Sequence, residues 1–219
     1  MKPNTAVSCN GGGYEFVEAT EENQLRFLDI VAKRALGINV WWIDAGWYNC
    51  VGKWDLLPVW WTEETKAQGI EKEYDKHWWF TGTWEPDPIR FPNGLKSVSD
   101  RAAEQGINLL LWFEPERVFS GSRLDKEHPE WLLKIKSEPK ESLSSLRLEN
   151  NHLLNLGNPE CCEWLTEHIS KLITENGIKI YRQDFNFPPL QYWRDNFRKT
   201  ACFLPAFSST LPNNHKKRR

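Results

Sequence analysis

The sequence predicts an α/β fold, read as the N-terminal half of a (β/α)8 TIM barrel with a long Trp-rich loop after its first strand. Three observations carry this reading. Apolar strands are each reached through an amphipathic helix closed by a glycine, the pattern of a parallel sheet with helices packed over it. No Gly-rich phosphate turn follows any strand. The strands end in polar or acidic groups, Asp44, Glu114, Asn155 and Asp184, and a barrel gathers its catalytic groups at those ends. A doubly wound sheet also fits the alternation of helix and strand. Four candidate strands are found, against eight and about 250 residues in a full barrel.

Each element has a local reason. Thr20 followed by Glu21 and Glu22 reads as an N-cap with acidic residues at the positive helix end. Leu25, Leu28, Val31, Ala32, Ala35 and Leu36 then form one apolar face, closed by Gly37, and the strand "INVWWID" follows. A second helix is predicted from about Gly94 to Gln105, stopped by Gly106 before "INLLLWFE". The third strand is the short "HLLNL". Asn158 as cap, Pro159 at the first helical position and Gly177 at the end bound the next helix, which leads into "IKIYRQDF".

Composition narrows the function. With 219 residues, 40% of them hydrophobic, the chain can bury a substantial core. A formal net charge of -2 gives no basic field for a phosphate backbone, so nucleic acid is not expected as a partner. No apolar run reaches the ~20 residues that span a bilayer, so no membrane is expected. The first residues lack an apolar signal region, and a cytoplasmic chain is expected. Five cysteines, Cys9, Cys50, Cys161, Cys162 and Cys202, have no metal-ligand spacing and read as reduced thiols. No cofactor or metal is expected.

Thirteen tryptophans exceed what a core needs, since each buried indole N–H wants a partner. Six of them, Trp54, Trp60, Trp61, Trp78, Trp79 and Trp84, fall in residues 48–93. A loop this long is usually functional. It is expected over the barrel mouth, or as cover for a small subdomain or a neighbouring subunit. Sugars have an apolar C–H face suited to indoles and hydroxyls suited to carboxylates, so Asp44 in "WWIDAGWY" fits a sugar-binding role.

An aspartate ending a buried strand serves as a cap, as half of an ion pair, or as a catalytic group. For Asp184, Arg182 projects from the same face two residues earlier and favours the ionised carboxylate. That is the state a glycosidase nucleophile requires.

"WWIDAGWY", "GTWEPDPIRFPNGL", "LLLWFEPERV", "EHPEWLL", "LLNLGNPE" and "YRQDFNFPPLQYWR" resemble, in order, the motifs of the melibiase-type α-galactosidases, glycoside hydrolase family 36. The resemblance runs from about Glu18 to Arg194. It implies a barrel that hydrolyses terminal α-galactosides with retention, with small α-galactosides such as melibiose or raffinose as partners and a homo-oligomer open for an intact member. By the same resemblance Asp184 matches the nucleophile, while Asp44 and Trp84 match galactose-contacting positions. Arg182 stands where many members carry lysine, and with Asn186 it is placed among the substrate-binding groups. Ala45 stands where relatives have a second aspartate. Glu114 and Glu116 are carried over only as barrel-mouth residues, with a turn and salt bridge through Pro115 and Arg117 as the other reading.

The family's acid/base aspartate lies in a later "CASGG"-like segment, and nothing after Trp193 is similar to it. Residues 1–194 are therefore expected to form a partial catalytic domain and residues 195–219 a divergent, poorly ordered tail. A truncated α-galactosidase without its acid/base is the leading expectation. A non-catalytic galactoside-binding fragment and an inactive product are the others. "HKKRR" reads as a solvated end or a localisation signal.

Overall fold

The computed structural model describes residues 5–8, 19–49, 81–136, 151–186 and 188–196. The tryptophans at 54, 60, 61, 78 and 79, the cysteines at 9, 50 and 202, and residues 197–219 of the expected tail lie outside the described residues.

Helix α1 (Glu21–Arg34) begins as its sequence requires: the Thr20 hydroxyl accepts from Asn23 N at 3.2 Å, with Glu21 and Glu22 in the first turn. It stops earlier than Gly37, because Ala35 itself takes the left-handed conformation at φ 48°. Helix α2 (Lys96–Glu104) is followed by Gly106 at φ 71°. Helix α4 (Pro159–Glu175) has Pro159 in its first turn and Asn158 Oδ1 accepting from Glu160 N at 3.0 Å. Two short helices have no counterpart in the sequence reading, α3 (Arg123–Glu127) and α5 (Leu190–Asp195). No helix of the described residues is long and apolar enough to cross a membrane.

The main sheet is parallel and four-stranded. Its strands are β1 (Ala6–Ser8), β2 (Val40–Ile43), β3 (Asn108–Phe113) and β7 (Ile180–Gln183), arranged in that order. Within this sheet the strands lie side by side in the order in which they occur in the chain, with no reversal of direction. β1 was not anticipated, since three residues of modest hydrophobicity carry no readable period.

The expected strand "HLLNL" is corrected. Residues 151–154 belong to a second sheet, where β6 (Asn151–Leu154) pairs antiparallel with β4 (Arg117–Phe119) and β5 (Leu132–Leu133). A four-residue apolar run fits either sheet. What decides is that Arg117 leads the chain directly into β4, whose backbone pairs with β6 and occupies one of its edges.

The two faces of the parallel sheet differ. Trp41, Ile43, Leu109 and Leu111 are at most 1% exposed and form the face under the helices. Trp41 Nε1 donates to Gln24 Oε1 of α1 at 2.8 Å. Helix α2 is joined to α1 by Arg101 Nε on Asp29 Oδ1 at 2.9 Å. Asn176, just beyond α4, receives the Leu95 N–H at 3.0 Å and donates to Leu172 O at 2.9 Å. The close approach of α4 to α2 is completed by Gly177, where a Cβ would sit 2.9 Å from Ser99 Oγ. Leu165, Ile169 and Leu172 of α4 join the same core as α1, α2 and the sheet. Trp42, Leu110, Ile180 and Arg182, on the opposite face by strand alternation, are only half-buried.

The second sheet is bolted to the end of β3. Arg117, fully buried, donates from Nε to Glu114 Oε2 at 2.9 Å and pairs with it in a salt bridge whose side chains are both 0% exposed. Arg117 Nη1 also reaches Asn151 Oδ1 on β6 at 3.5 Å. Cys161 lies in the core, where burial first and the neighbouring Cys162 second push its thiol up to about 12. It and Cys162 are free thiols.

Two substitutions test this packing. Arg117→Met leaves Glu114 a buried charge without its partner, and a loss of about 3–5 kcal/mol is expected in urea unfolding. A change within error of zero would show that the pair is dispensable. Asn176→Ala orphans the Leu95 N–H and should lower stability by about 1–2 kcal/mol, whereas Asn176→Asp, which keeps the acceptor, should lose less in the same assay.

Candidate active site

Three acidic residues follow the parallel strands directly: Asp44 after β2, Glu114 after β3 and Asp184 after β7. Pairing of Trp42 with Leu110 and of Trp112 with Arg182 sets the register, and Asp184 N donates to Phe113 O at 2.8 Å. The alternation of side chains then carries Asp44, Glu114 and Asp184 toward the half-buried face, at the carboxyl edge of the sheet.

Asp184 is held by donors on every side. Trp112 Nε1 reaches Oδ2 at 3.0 Å, Arg182 Nη1 reaches the same oxygen at 3.1 Å, and Phe185 N reaches Oδ1 at 2.9 Å. Burial alone would raise its pKa. The hydrogen bonds from Trp112, the Phe185 amide, the Asn186 side chain and Arg182 outweigh burial together and bring it down to about 2. The carboxylate is thus ionised at neutral pH, with its side chain 30% exposed.

The loop beyond Asp184 is equally fixed. Asn186 N donates to Glu114 Oε1, so the glutamate paired with Arg117 also sets the backbone from which Asn186 reaches Asp184. Phe185 packs on Leu133, Leu153 and Tyr192, and the Tyr192 hydroxyl donates to Asn151 O at 2.8 Å. The second sheet and α5 therefore brace the strand end that carries the carboxylate. Glu116 lies elsewhere, accepting from Gln183 Nε2 at 3.3 Å, and its pKa is raised by burial and by Glu114. Asp195 accepts from Lys136 N and Gln191 Nε2, both at 2.8 Å, as part of the brace.

Asp44 Oδ1 accepts from Ala45 N at 2.9 Å, which orients the carboxylate at the turn. Ala45 is buried, 6% exposed. Trp84, matched by the family resemblance to a galactose-contacting position, is fully buried, 0% exposed. Trp47, Tyr48, Trp112 and Phe113 surround it at centroid distances of 6.0, 5.0, 6.1 and 5.7 Å. Trp84 sits at φ 52°, uncommon for a residue with a side chain. His168 Nε2 of α4 contacts the Thr83 and Trp84 carbonyls at 2.9 and 3.2 Å and pins that backbone.

Trp112 is the residue that the sequence reading passed over. Its carbonyl accepts from Trp47 Nε1 at 2.9 Å, its ring meets Tyr48 and Trp84, and its N–H serves Asp184. The available signal was its place two residues before Glu114, on the face that Arg182 and Asp184 share. No group of three or more His, Cys, Asp or Glu residues that could hold a metal occurs among the described residues.

The chain is similar in sequence and fold to known alpha-galactosidases. Probable alpha-galactosidase G of Aspergillus terreus is 31% identical over 174 residues, covering 71% of this chain and 23% of that protein. Alpha-galactosidase 2 of Hypocrea jecorina is 28% identical over 207 residues, covering 88% of this chain and 24% of that protein. Among solved structures, a variant of the GH36 alpha-galactosidase AgaA from Geobacillus stearothermophilus in complex with raffinose gives a TM-score of 0.61 at 22% identity, over 91% of this chain and 24% of that one. TtGalA, the alpha-galactosidase from Thermus thermophilus, in complex with stachyose gives 0.58 at 26% identity, over 84% of this chain and 32% of that one. The chain spans about a quarter of the length of the two curated relatives, 23% and 24%. The family model described as Melibiase matches residues 16–189, a span that includes α1 and Asp184. With most of its length covered by that one match, this chain belongs to the melibiase family.

Proposed function

We propose that this chain supplies the nucleophile and part of the sugar pocket of a retaining α-galactosidase. The observation that carries the reading is Asp184: a carboxylate kept ionised by Trp112, Phe185 N, Asn186 and Arg182 at the carboxyl end of a parallel strand, in a chain of the melibiase family. Asp184 attacks the anomeric carbon, the bond from that carbon to the leaving oxygen breaks, and the oxygen takes a proton from a general acid. Water then cleaves the galactosyl ester, with inversion at each step and net retention. None of the residues named here is assigned as that acid.

Asp44 and Arg182 are the groups we place against the sugar hydroxyls, with Asn186 alongside them. Trp84 serves from beneath, as the aromatic support of Trp112. The parallel sheet is read as the first part of a (β/α)8 barrel. Two features support this: the strands follow one another without the reversal of order that defines a doubly wound sheet, and α1, α2 and α4 lie on the face opposite the half-buried one.

An α-galactosyl donor with fluoride as leaving group isolates the step that Asp184 performs, because departure then depends little on an acid. The expected result is one galactosyl unit attached at Asp184, found by peptide mass spectrometry. Asp184→Asn should slow the release of fluoride on the order of a thousandfold or more, the scale seen when a nucleophile is removed. A carboxyl that titrates at about 2 is already deprotonated at pH 4, so the labelling rate should stay flat from about pH 4 to 7. Labelling that survives Asp184→Asn, or that falls as pH drops through 6, would assign the attack to another group.

A further inference from the structure

Arg182 makes a second contact besides that to Asp184. Its guanidinium carbon lies 4.8 Å from the centroid of the Trp42 ring. Trp42 is on β2 and Arg182 on β7, with β3 between them. In a flat sheet those backbones would stand roughly 9.5 Å apart, so the two long side chains meet across β3 over the shared face. Trp42 is half-buried, and Arg182 is 34% exposed.

We propose that Trp42 is a positioning residue: its indole face fixes the Arg182 guanidinium in one plane beside Asp184, so that the remaining N–H donors serve two adjacent hydroxyls of the sugar. The reason is geometric. A half-exposed arginine has several rotatable bonds, and a single hydrogen bond at 3.1 Å leaves the guanidinium free to turn about that contact. A ring face beneath it removes that freedom, and tryptophan is the best ring for the purpose. Of the five N–H donors of a guanidinium, Asp184 takes one at Nη1, and this is the one side-chain hydrogen bond of Arg182 among the described residues. The planar fork that remains differs from the point charge of a lysine, which cannot address two oxygens in one plane. The part of the proposal that concerns hydroxyls rests on the function proposed above, and the pairing of Trp42 with Arg182 does not.

Two measurements separate the parts. In nuclear magnetic resonance of the full wild-type chain, the Arg182 side-chain protons should be displaced upfield by the Trp42 ring current. Loss of that displacement is expected in Trp42→Leu and retention in Trp42→Tyr. Arg182 protons at ordinary positions in the wild type would overturn the pairing, and this reading needs no variant to fold. Galactose binding, followed by calorimetry, gives the second test. Trp42→Leu should weaken binding about twofold to fivefold, and should add nothing in an Arg182→Met background. An undiminished effect in that background would mean that Trp42 does not act through Arg182. If the wild type binds no galactose while the ring-current shift is present, the hydroxyl assignment and the proposed function fall and the pairing stands.

Discussion

The hydrogen bond from Trp112 Nε1 to Asp184 Oδ2 joins the core to the site. The indole that donates it belongs to an aromatic floor made with Tyr48 and Trp84, and its backbone is clamped by Trp47. The carboxylate that accepts it ends the neighbouring strand, in register with β3 through Asp184 N and Phe113 O. Strand pairing, aromatic packing and ionisation of the carboxylate therefore meet at one donor. A shift of β7 by one residue would turn Asp184 to the helix side and break that hydrogen bond.

The second sheet gains its meaning from the same place. Its short strands add little area, yet Leu133, Leu153 and Tyr192 receive Phe185, and Glu114 receives Asn186 N. The buried Arg117 ties that glutamate to β4 and β6. A charged pair with no solvent exposure is weak evidence for stability in itself. Here it places one carboxylate oxygen where the loop after Asp184 needs an acceptor, which an apolar pair of the same volume could not supply.

Much of this was legible in the sequence where local chemistry decides. Thr20, Asn158 and Pro159 mark their helix starts because a cap is a contact between near neighbours, and Arg182 with Asp184 is a pair two residues apart on one strand. Legibility ends where distant residues decide. "HLLNL" has the hydrophobicity of any short strand, and its sheet was chosen by residues 117–119 and 132–133. Trp84 carries the same side chain whether it faces a sugar or fills a floor, and its burial comes from Trp47, Tyr48, Trp112 and Phe113. Trp42 meets Arg182 across an intervening strand, a contact with no local trace. α5 escaped notice because a six-residue helix has too few turns to show a period.

Trp112 and Asp184 stand 72 positions apart in the chain. A peptide of the residues around Asp184 would keep Arg182, Phe185 and Asn186 but not the indole, and the entropy of closing so long a loop is repaid only by the β3–β7 pairing and by α4 packed beneath it. The acidity of this carboxyl is therefore in part a tertiary property. The Trp112 contribution, the largest of the hydrogen bonds that lower it, arises with the pairing of β3 and β7 and disappears with it, so Asp184 reports on the integrity of contacts far beyond its own strand.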